Sequence, residues 1–376
     1  MLNIILTWPV TVVKLKVGGV ATYLKDFLQS LDCDRFYVFN RDKYLTKSLP
    51  IRKTSAIDIF FIRLSVIFYF FTFCYRLLFK KVDIVHANPS LLINAVVRDA
   101  FYIAIASVFR KRIVVFFHGW NLDFAKFIDT RPLIRKLFVR IYNKADTICV
   151  LAEEFKQQLE SWGIKSTIHI ETTMVNNNLL SSFNFESSFQ KRLSEPFNIL
   201  FLSRIEKEKG IYEAIEAVSI LRNRHINACL IVAGNGSQVD EMKNYIIQNK
   251  KSGIKFIGYV EGEKKKKAFD SSYAFILPSY GEGMPISVLE AMSFGLPVLT
   301  RSVGGLKDFF INGKHGFITN SIDPEIFADN IEKIINTPQL YKHICYHNYR
   351  FAQDQLMASE VTRRIESIYL KLAGEN

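Results

Sequence analysis

The amino-acid sequence predicts an α/β protein of two doubly wound domains, each a parallel sheet with helices packed against it. Three observations lead there. At 376 residues the chain is longer than one ordinary core, since about 150 residues per domain gives roughly two and a half. Short continuous apolar runs recur, with the composition of strands buried on both faces. Helix-length patterns lie between them, and this alternation passes along the chain twice.

The first series of strands reads as residues 3–7, 36–39, 84–86, 113–117, 147–151 and 167–170. No basic residues precede the first run and no small-residue cleavage site follows closely, so it reads as a buried strand rather than a leader. The second series is 198–202, 228–233, 254–257, 274–277 and 297–299, with 316–318 as a short sixth. Helical patterns fall at 21–31, 132–143, 210–222 and 285–293. Asn176-Asn-Asn, Ser181-Ser and Ser187-Ser break the periodicity before Pro196, which places a linker there. The domains expected are 1–185 and 196–350, facing across a cleft, with a final helix at 351–373 packing back on the first. In open parallel sheets a ligand binds outside the carboxyl ends of the strands, so two such domains can hold one ligand from both sides.

With 49% hydrophobic, 14% aromatic and 23% charged residues, the composition excludes a disordered, collagen-like or disulfide-framework protein. Cys33, Cys74, Cys149, Cys229 and Cys345 form no Cys-x-x-Cys pair, which argues against a thiolate zinc site and fits a reducing cytoplasm. The net charge of +13 is uneven. Residues 1–185 hold 25 Lys and Arg against 14 Asp and Glu, net +11, whereas the remainder holds 24 against 22, net +2. A basic half attracts a polyanion or an anionic membrane surface. Residues 64–75 are an uncharged run of twelve that would span about 18 Å of a roughly 30 Å hydrocarbon core, too short to cross. Residues 57–81 and 132–144 are amphipathic and Arg/Lys-flanked, with Leu133, Leu137 and Ile141 on one side of the second. Two readings stay open for them: core helices with basic outer faces, or a surface resting on anionic lipid.

The most informative stretch follows the strand 274–277: Pro278-Ser-Tyr-Gly-Glu282-Gly283-Met284-Pro285, then Glu290-Ala-Met and Gly295-Leu-Pro-Val. Pro285 suits a first helical position, because its missing N–H would be unpaired there anyway. Unpaired amides around Gly283 and Met284, at the positive end of that helix, suit an anion or sugar hydroxyls. Upstream, Arg204 and Lys209 follow the strand 198–202, where two fixed cations can hold a diphosphate that gains charge as it leaves.

This pattern, Pro-Ser…Glu-Gly-x-Pro…Glu-Ala-Met…Gly-x-Pro-Val with Arg and Lys upstream, resembles the retaining glycosyltransferases of family 4, which have the GT-B fold of two Rossmann-like domains. The resemblance implies that Glu282 contacts the donor sugar beside the reacting centre and that Glu290 holds the nucleotide ribose. It assigns Arg204 and Lys209 to the diphosphate, with Ser203 standing where the family usually has Gly. Lys16-Val-Gly18-Gly19-Val matches the family's glycine loop between first strand and first helix. Gly234 and Gly236 match a turn lining the nucleotide pocket. His118, at the end of the strand 113–117, matches a histidine that contacts the donor sugar, while His86 is read as structural. The family's usual Asn-Gly-Val-Asp-like turn is replaced near Glu171-Thr-Thr-Met-Val.

Taken with the cysteine usage and the basic amino-terminal half, the resemblance points to a cytoplasmic enzyme, peripheral on the inner face of the cell membrane. It would move a sugar from a nucleotide-sugar donor to a glycan or lipid-linked glycan acceptor in surface polysaccharide biosynthesis. Neither cofactor nor metal is expected, and Asp32-Cys-Asp34 and the run Lys264-Lys-Lys-Lys are read as a solvated turn and a solvated helix face. Two rivals remain: an epimerase or phosphorylase on the same fold, and a non-enzymatic anion-binding protein. Nucleic acid is disfavoured, because the aromatic residues sit in apolar runs rather than between exposed cations.

Overall fold

A computed structural model describes residues 1–7, 19–39, 56–193 and 196–375, with residues 56–66 described by their backbone alone. The chain forms two compact units, Met1–Thr173 with Ala358–Asn376, and Met174–Met357.

The first unit holds β1 (Leu2–Leu6), β2 (Phe36–Val38), β3 (Ile84–Ala87), β4 (Arg112–Phe116), β5 (Thr147–Val150) and β6 (Thr167–Ile170). They form one parallel sheet in the order β2-β1-β3-β4-β5-β6. Ile4 registers with Val38 on one side and Ile84 on the other, and all three are buried. The connecting helices are α1 (Gly19–Ser30), α2 (Ala56–Phe79), α3 (Ile93–Val108), α4 (Leu122–Asp129), α5 (Pro132–Tyr142) and α6 (Glu153–Trp162). Local chemistry sets several ends: Asn121 caps α4 by accepting from the Phe124 amide, Pro132 opens α5, and Gly163 stops α6 in the left-handed region at φ 106°.

The second unit begins with a 3₁₀ turn, Asn177–Leu180, and α7 (Phe185–Lys191). It continues through β7 (Phe197–Leu202), α8 (Ile211–Asn223), β8 (Ala228–Ala233), α9 (Val239–Gln248), β9 (Ile254–Gly258) and α10 (Gly262–Asp270). Then come β10 (Ala274–Leu277), α11 (Ile286–Ser293), β11 (Val298–Arg301), α12 (Leu306–Phe309), β12 (Gly316–Thr319), α13 (Pro324–Asn336) and α14 (Pro338–Gln355). Its sheet is parallel in the order β12-β11-β10-β7-β8-β9. The last helix, α15 (Ala358–Ala373), packs on α1 in the first unit.

Both units are doubly wound, as the sequence pattern predicts. Two boundaries differ. Residues 174–193 fold with the second unit, because Phe185 stacks on Tyr349 and Phe189 on Tyr341, while Arg192 donates to the carbonyl of Phe294. The final helix is not continuous over 351–373. It breaks at Leu356–Met357, both buried, where the Val175 amide donates to the Leu356 carbonyl at 2.8 Å. Only the portion beyond the break belongs to the first unit. Among the described residues no helix is long and apolar enough to cross a membrane.

Candidate functional site

In the second unit β7, the first strand, lies between β8 and β10, so the chain runs outward from it in both directions. Such a switch point leaves a crevice at the carboxyl ends of the strands. The loops after β7 and β10 meet there. The Tyr280 amide donates to the Glu208 carbonyl at 2.8 Å and Ser279 Oγ donates to the same carbonyl at 3.2 Å. Gly210, at φ 76°, lets this happen: a Cβ there would lie 2.3 Å from the Pro278 carbonyl oxygen. The loop after β11 closes on the same place. Gly305 donates to the Gly283 carbonyl, and a Cβ on Gly304 would lie 2.1 Å from that oxygen.

This fixed frame brings Lys209 and Glu282 together, Nζ to Oε1 at 2.6 Å, with both side chains mostly buried. They lie 73 residues apart in sequence. Arg204, at the start of the same loop after β7, is exposed. The amides of Gly283 and Met284 donate no hydrogen bond among the described residues, so the expected unpaired donors are present at the start of α11. Pro285 differs from expectation: it is the N-cap rather than the first helical residue, with ψ 110°, and its carbonyl accepts from Val288. Residues 283 and 284 form a bend, held by Gly305 through the Gly283 carbonyl, and Pro285 itself is extended, so the helix starts one residue later.

Glu290 lies in α11, buried, and pairs with Lys265 of α10. Burial pushes its carboxyl above the ordinary value, and Lys265 pulls it partly back. The run Lys264-Lys-Lys-Lys is therefore not a wholly solvated face: Lys265 holds Glu290, and Lys266 pairs with Glu263 and donates to Ser182.

Gly234 and Gly236 serve packing directly. A Cβ on Gly234 would lie 1.9 Å from the Ser203 carbonyl oxygen and one on Gly236 2.2 Å from that of Ile205. They let the turn after β8 lie against the loop carrying Arg204, where Ile205 donates to the Asn235 carbonyl.

In the first unit the switch point falls between β1 and β3. His118 follows β4, its ring 4.4 Å from that of Tyr23 and 4.3 Å from that of Phe116 between centroids. Its Nε2 meets Asn88 Oδ1 at 2.8 Å. Asn88 Nδ2 donates to the His86 carbonyl, which fixes Oδ1 toward His118 and makes Nε2 the protonated nitrogen. His118 Nδ1 is then a bare acceptor, buried and without a partner among the described residues. Burial and, secondarily, His86 hold this imidazole well below its ordinary pKa. The network continues through Thr7 Oγ1, which accepts from the Asn88 amide and donates to Asp99.

His86 is fully buried, driven by burial to a pKa of about 3, and meets the Tyr369 hydroxyl of α15 through Nδ1. Glu171, where the family turn is replaced, accepts a two-pronged contact from Arg364 of the same helix. Gly19 is the first residue of α1; Gly18 lies outside the described residues. Gly210, Ser279, Lys265 and the pair Gly304-Gly305 were not singled out from sequence. Paired glycines after a strand signal close backbone approach, and that criterion finds Gly304-Gly305 as readily as Gly18-Gly19.

Two family models match the chain: Glycosyltransferase Family 4 over residues 17–175 and Glycosyl transferases group 1 over residues 183–351. The chain belongs to these glycosyltransferases. It is 28% identical to the capsular polysaccharide biosynthesis glycosyltransferase CapM of Staphylococcus aureus over 58% of this chain and 56% of that protein. It is 24% identical to a colanic acid biosynthesis glycosyltransferase, WcaL, of Salmonella typhimurium over 66% and 59% of the two. The matched part thus spans little more than half of these relatives. Among solved structures, Anabaena Alr3699/HepE in complex with UDP and glucose is similar at TM-score 0.71 and 17% identity, over 98% of this chain and 99% of that one. Sucrose-phosphate synthase from Thermosynechococcus elongatus is similar at TM-score 0.73 and 16% identity over the full length of both. These likenesses give the GT-B fold.

Proposed function

We propose that the protein is a retaining glycosyltransferase that moves a sugar from a nucleotide-sugar donor to a lipid-linked glycan during surface polysaccharide biosynthesis. The observation that carries this reading is the Lys209–Glu282 pair at the β7/β10 switch point, beside the unpaired amides of Gly283 and Met284. The capsule and colanic acid relatives support the polysaccharide setting, and the UDP and glucose held by the Anabaena neighbour support the donor class.

In this reading the donor lies on the second unit. Lys209, Arg204 and the α11 amides take the diphosphate, Glu282 takes a hydroxyl of the transferred sugar, and Glu290 takes the ribose. Gly234, Gly236 and Pro285 shape the backbone around it. On the first unit, Gly18, Gly19 and the neutral His118 are assigned to sugar binding, His118 accepting from a hydroxyl through its open Nδ1. The acceptor hydroxyl attacks the anomeric carbon on the face from which the nucleotide leaves. The new carbon–oxygen bond forms as the carbon–phosphate-oxygen bond breaks, and the acceptor proton passes to the departing phosphate oxygen. Two side-chain cations and the helix amides stabilise the charge gained there, so no metal takes part. The place of action is the cytoplasmic face of the membrane, with peripheral attachment.

A panel of nucleotide sugars tested for binding and slow hydrolysis by the full chain decides the class. The expected result is selective binding of one or a few donors, with hydrolysis retaining the anomeric configuration and unaffected by chelators. No binding across the panel overturns the donor assignment. Inverted product overturns retention, and loss with chelator restored by magnesium or manganese overturns the metal-free mechanism. Epimerised nucleotide sugar would instead indicate an epimerase.

A further inference from the structure

The first unit carries an exposed apolar surface made by three helices on one side of its sheet. Strands β3, β4, β5 and β6 follow one another in one direction across the sheet, whereas the step from β1 to β2 runs the other way. Right-handed crossovers therefore put α2, α3, α4 and α5 on one face and α1 on the opposite face. The inward sides of this layer are buried: Phe73 and Leu77 of α2, Tyr102 and Ile103 of α3, Phe138 and Tyr142 of α5. Phe73 packs on Tyr102 at 4.8 Å between centroids, so α2 and α3 are neighbours, and α3 also contacts α5.

The outward sides are apolar as well. On α2, Phe68, Phe71, Tyr75 and Leu78 recur at helical spacing, with Phe71 66% exposed. On α3, Ile93, Val97, Phe101 and Val108 form one stripe, with Phe101 61% exposed. On α5, Leu133 and Leu137 stand outward, Leu133 at 84%. Sequence patterning offered core burial for the apolar side of α5, and these leucines are not in the core. The α3 stripe was not visible in sequence, because its helix also buries Val96, Tyr102 and Ile103 and reads as apolar throughout.

Cations border this surface. Lys80 and Lys81 follow α2, Arg110 follows α3, and Lys136 and Arg140 lie on α5, all exposed; Arg112, at the start of β4, is paired with Asp146. Residues 67–144 hold 13 Lys and Arg against 4 Asp and Glu, net +9. Three of those acids are engaged: Asp99 is buried with Arg98, Asp83 accepts from the Asn3 amide, and Asp129 accepts from Trp162. A second copy of this chain would bring a face of the same sign. The complementary occupant is apolar within and anionic at its surface.

We infer that the outward faces of α2, α3 and α5 are a docking surface for an anionic lipid bilayer, with their aromatic and leucine side chains entering the headgroup–acyl boundary and the bordering lysines and arginines meeting lipid phosphates. This deepens the membrane attachment proposed above and rests on that part of the reading alone. Its test uses neither donor nor acceptor, so failure leaves the transferase assignment to the nucleotide-sugar panel.

The test is co-sedimentation of the full chain with vesicles of phosphatidylcholine alone or mixed with phosphatidylglycerol, across a range of salt. The wild-type chain binds the anionic vesicles preferentially, and raising salt weakens binding without abolishing it. Phe71→Asp with Phe101→Asp, and separately Leu133→Asp with Leu137→Asp, each reduce bound protein about tenfold or more, while Lys136→Glu with Arg140→Glu removes the anionic preference. All these positions are solvent-facing, and melting curves check that the fold is kept. The milder Phe101→Ser provides the same reading if the aspartate pair melts early. Absence of vesicle binding, equal binding to both vesicle types, or variants that bind like wild type overturns the proposal. A dimer in light scattering that the same substitutions dissolve also overturns it and assigns the face to a second copy.

Discussion

Lys265→Met is the most informative single perturbation of the second unit, because it leaves Glu290 buried without its cation. Removing one partner of a buried ion pair costs about 3–5 kcal/mol. The Lys265 side chain is 24% exposed, so water already screens the pair in part, and about 2 kcal/mol is the better expectation. For a unit of this size, Met174–Met357, each kcal/mol moves the melting temperature by about 2–4 °C, so the variant should melt about 4–8 °C lower. The sign of the pH dependence follows from burial. Glu290's folded pKa lies above its unfolded value of 4.5, so between the two the folded chain keeps a proton that the unfolded chain has released. Stability contributed by this group is greatest below the unfolded value and falls as pH rises through the window. Without Lys265 the folded pKa rises further and the window widens, so the variant's deficit should grow as pH rises above the unfolded value. Glu290→Gln in the same background removes the charge that needs a partner and should recover much of the loss, which a double-mutant cycle reads directly. Melts of the four proteins at several pH values decide it. A Lys265→Met chain that melts like wild type throughout, or whose deficit shrinks as pH rises, refutes the argument.

Glu282→Gln should chiefly slow turnover while Glu290→Gln chiefly weakens donor binding, a split read from kcat and KM on a defined donor. Arg204→Ala or Lys209→Ala should each cost roughly 10²-fold in transfer rate, and an unchanged rate would remove that side chain from the diphosphate site. Gly304→Ala places a Cβ against the Gly283 carbonyl at a backbone φ of +51°, so it should lower both melting temperature and activity; a wild-type melt would show that the loop yields easily. Because His118 is held neutral, the rate should show no histidine inflection from about pH 6 to 8, and an inflection abolished by His118→Gln would contradict its buried state.

The strands were legible almost to the residue, because most are buried on both faces and read as short apolar runs bounded by turn residues, whereas the apolar runs of α2 and α3 are of helix length. The Glu282 and Lys209 motifs were legible separately. Their pairing was not, since it depends on Gly210 admitting the Pro278 backbone and on the Ser279 and Tyr280 contacts with Glu208. The Lys264-Lys-Lys-Lys run hides its internal difference for a similar reason: consecutive residues on a helix point about 100° apart, so identical side chains meet different surroundings. The break at Leu356–Met357 carries no Gly or Pro signal. Tertiary contact imposes it, through the backbone bond to Val175 and the burial of both side chains.

The two units use one topology for different electrostatic ends. In each, the first strand of the series lies inside the sheet with its successor on one side and a later strand on the other, so each opens a crevice at its strand ends. At the β1/β3 crevice the groups linked to His118 are Asn88, Thr7 and His86, and burial keeps both imidazoles neutral. Buried neutral donors and acceptors discriminate hydroxyl positions, because a misplaced partner leaves one of them unpaired at a cost of about 1–3 kcal/mol. At the β7/β10 crevice the groups are ion pairs, Lys209 with Glu282 and Lys265 with Glu290, next to the exposed Arg204. A lysine already bound to a carboxylate is positioned before any ligand arrives, so a phosphate reaching it meets a fixed charge rather than a mobile one. In the proposed reaction that is the unit in which charge develops on the leaving group, and preorganised cations act most strongly where charge develops. In the proposed reading the first unit thus offers neutral hydroxyl recognition alone, whereas the second combines the hydroxyl contacts of Glu282 and Glu290 with cations that meet the leaving group. The difference lies in the residues each strand end carries rather than in the sheets.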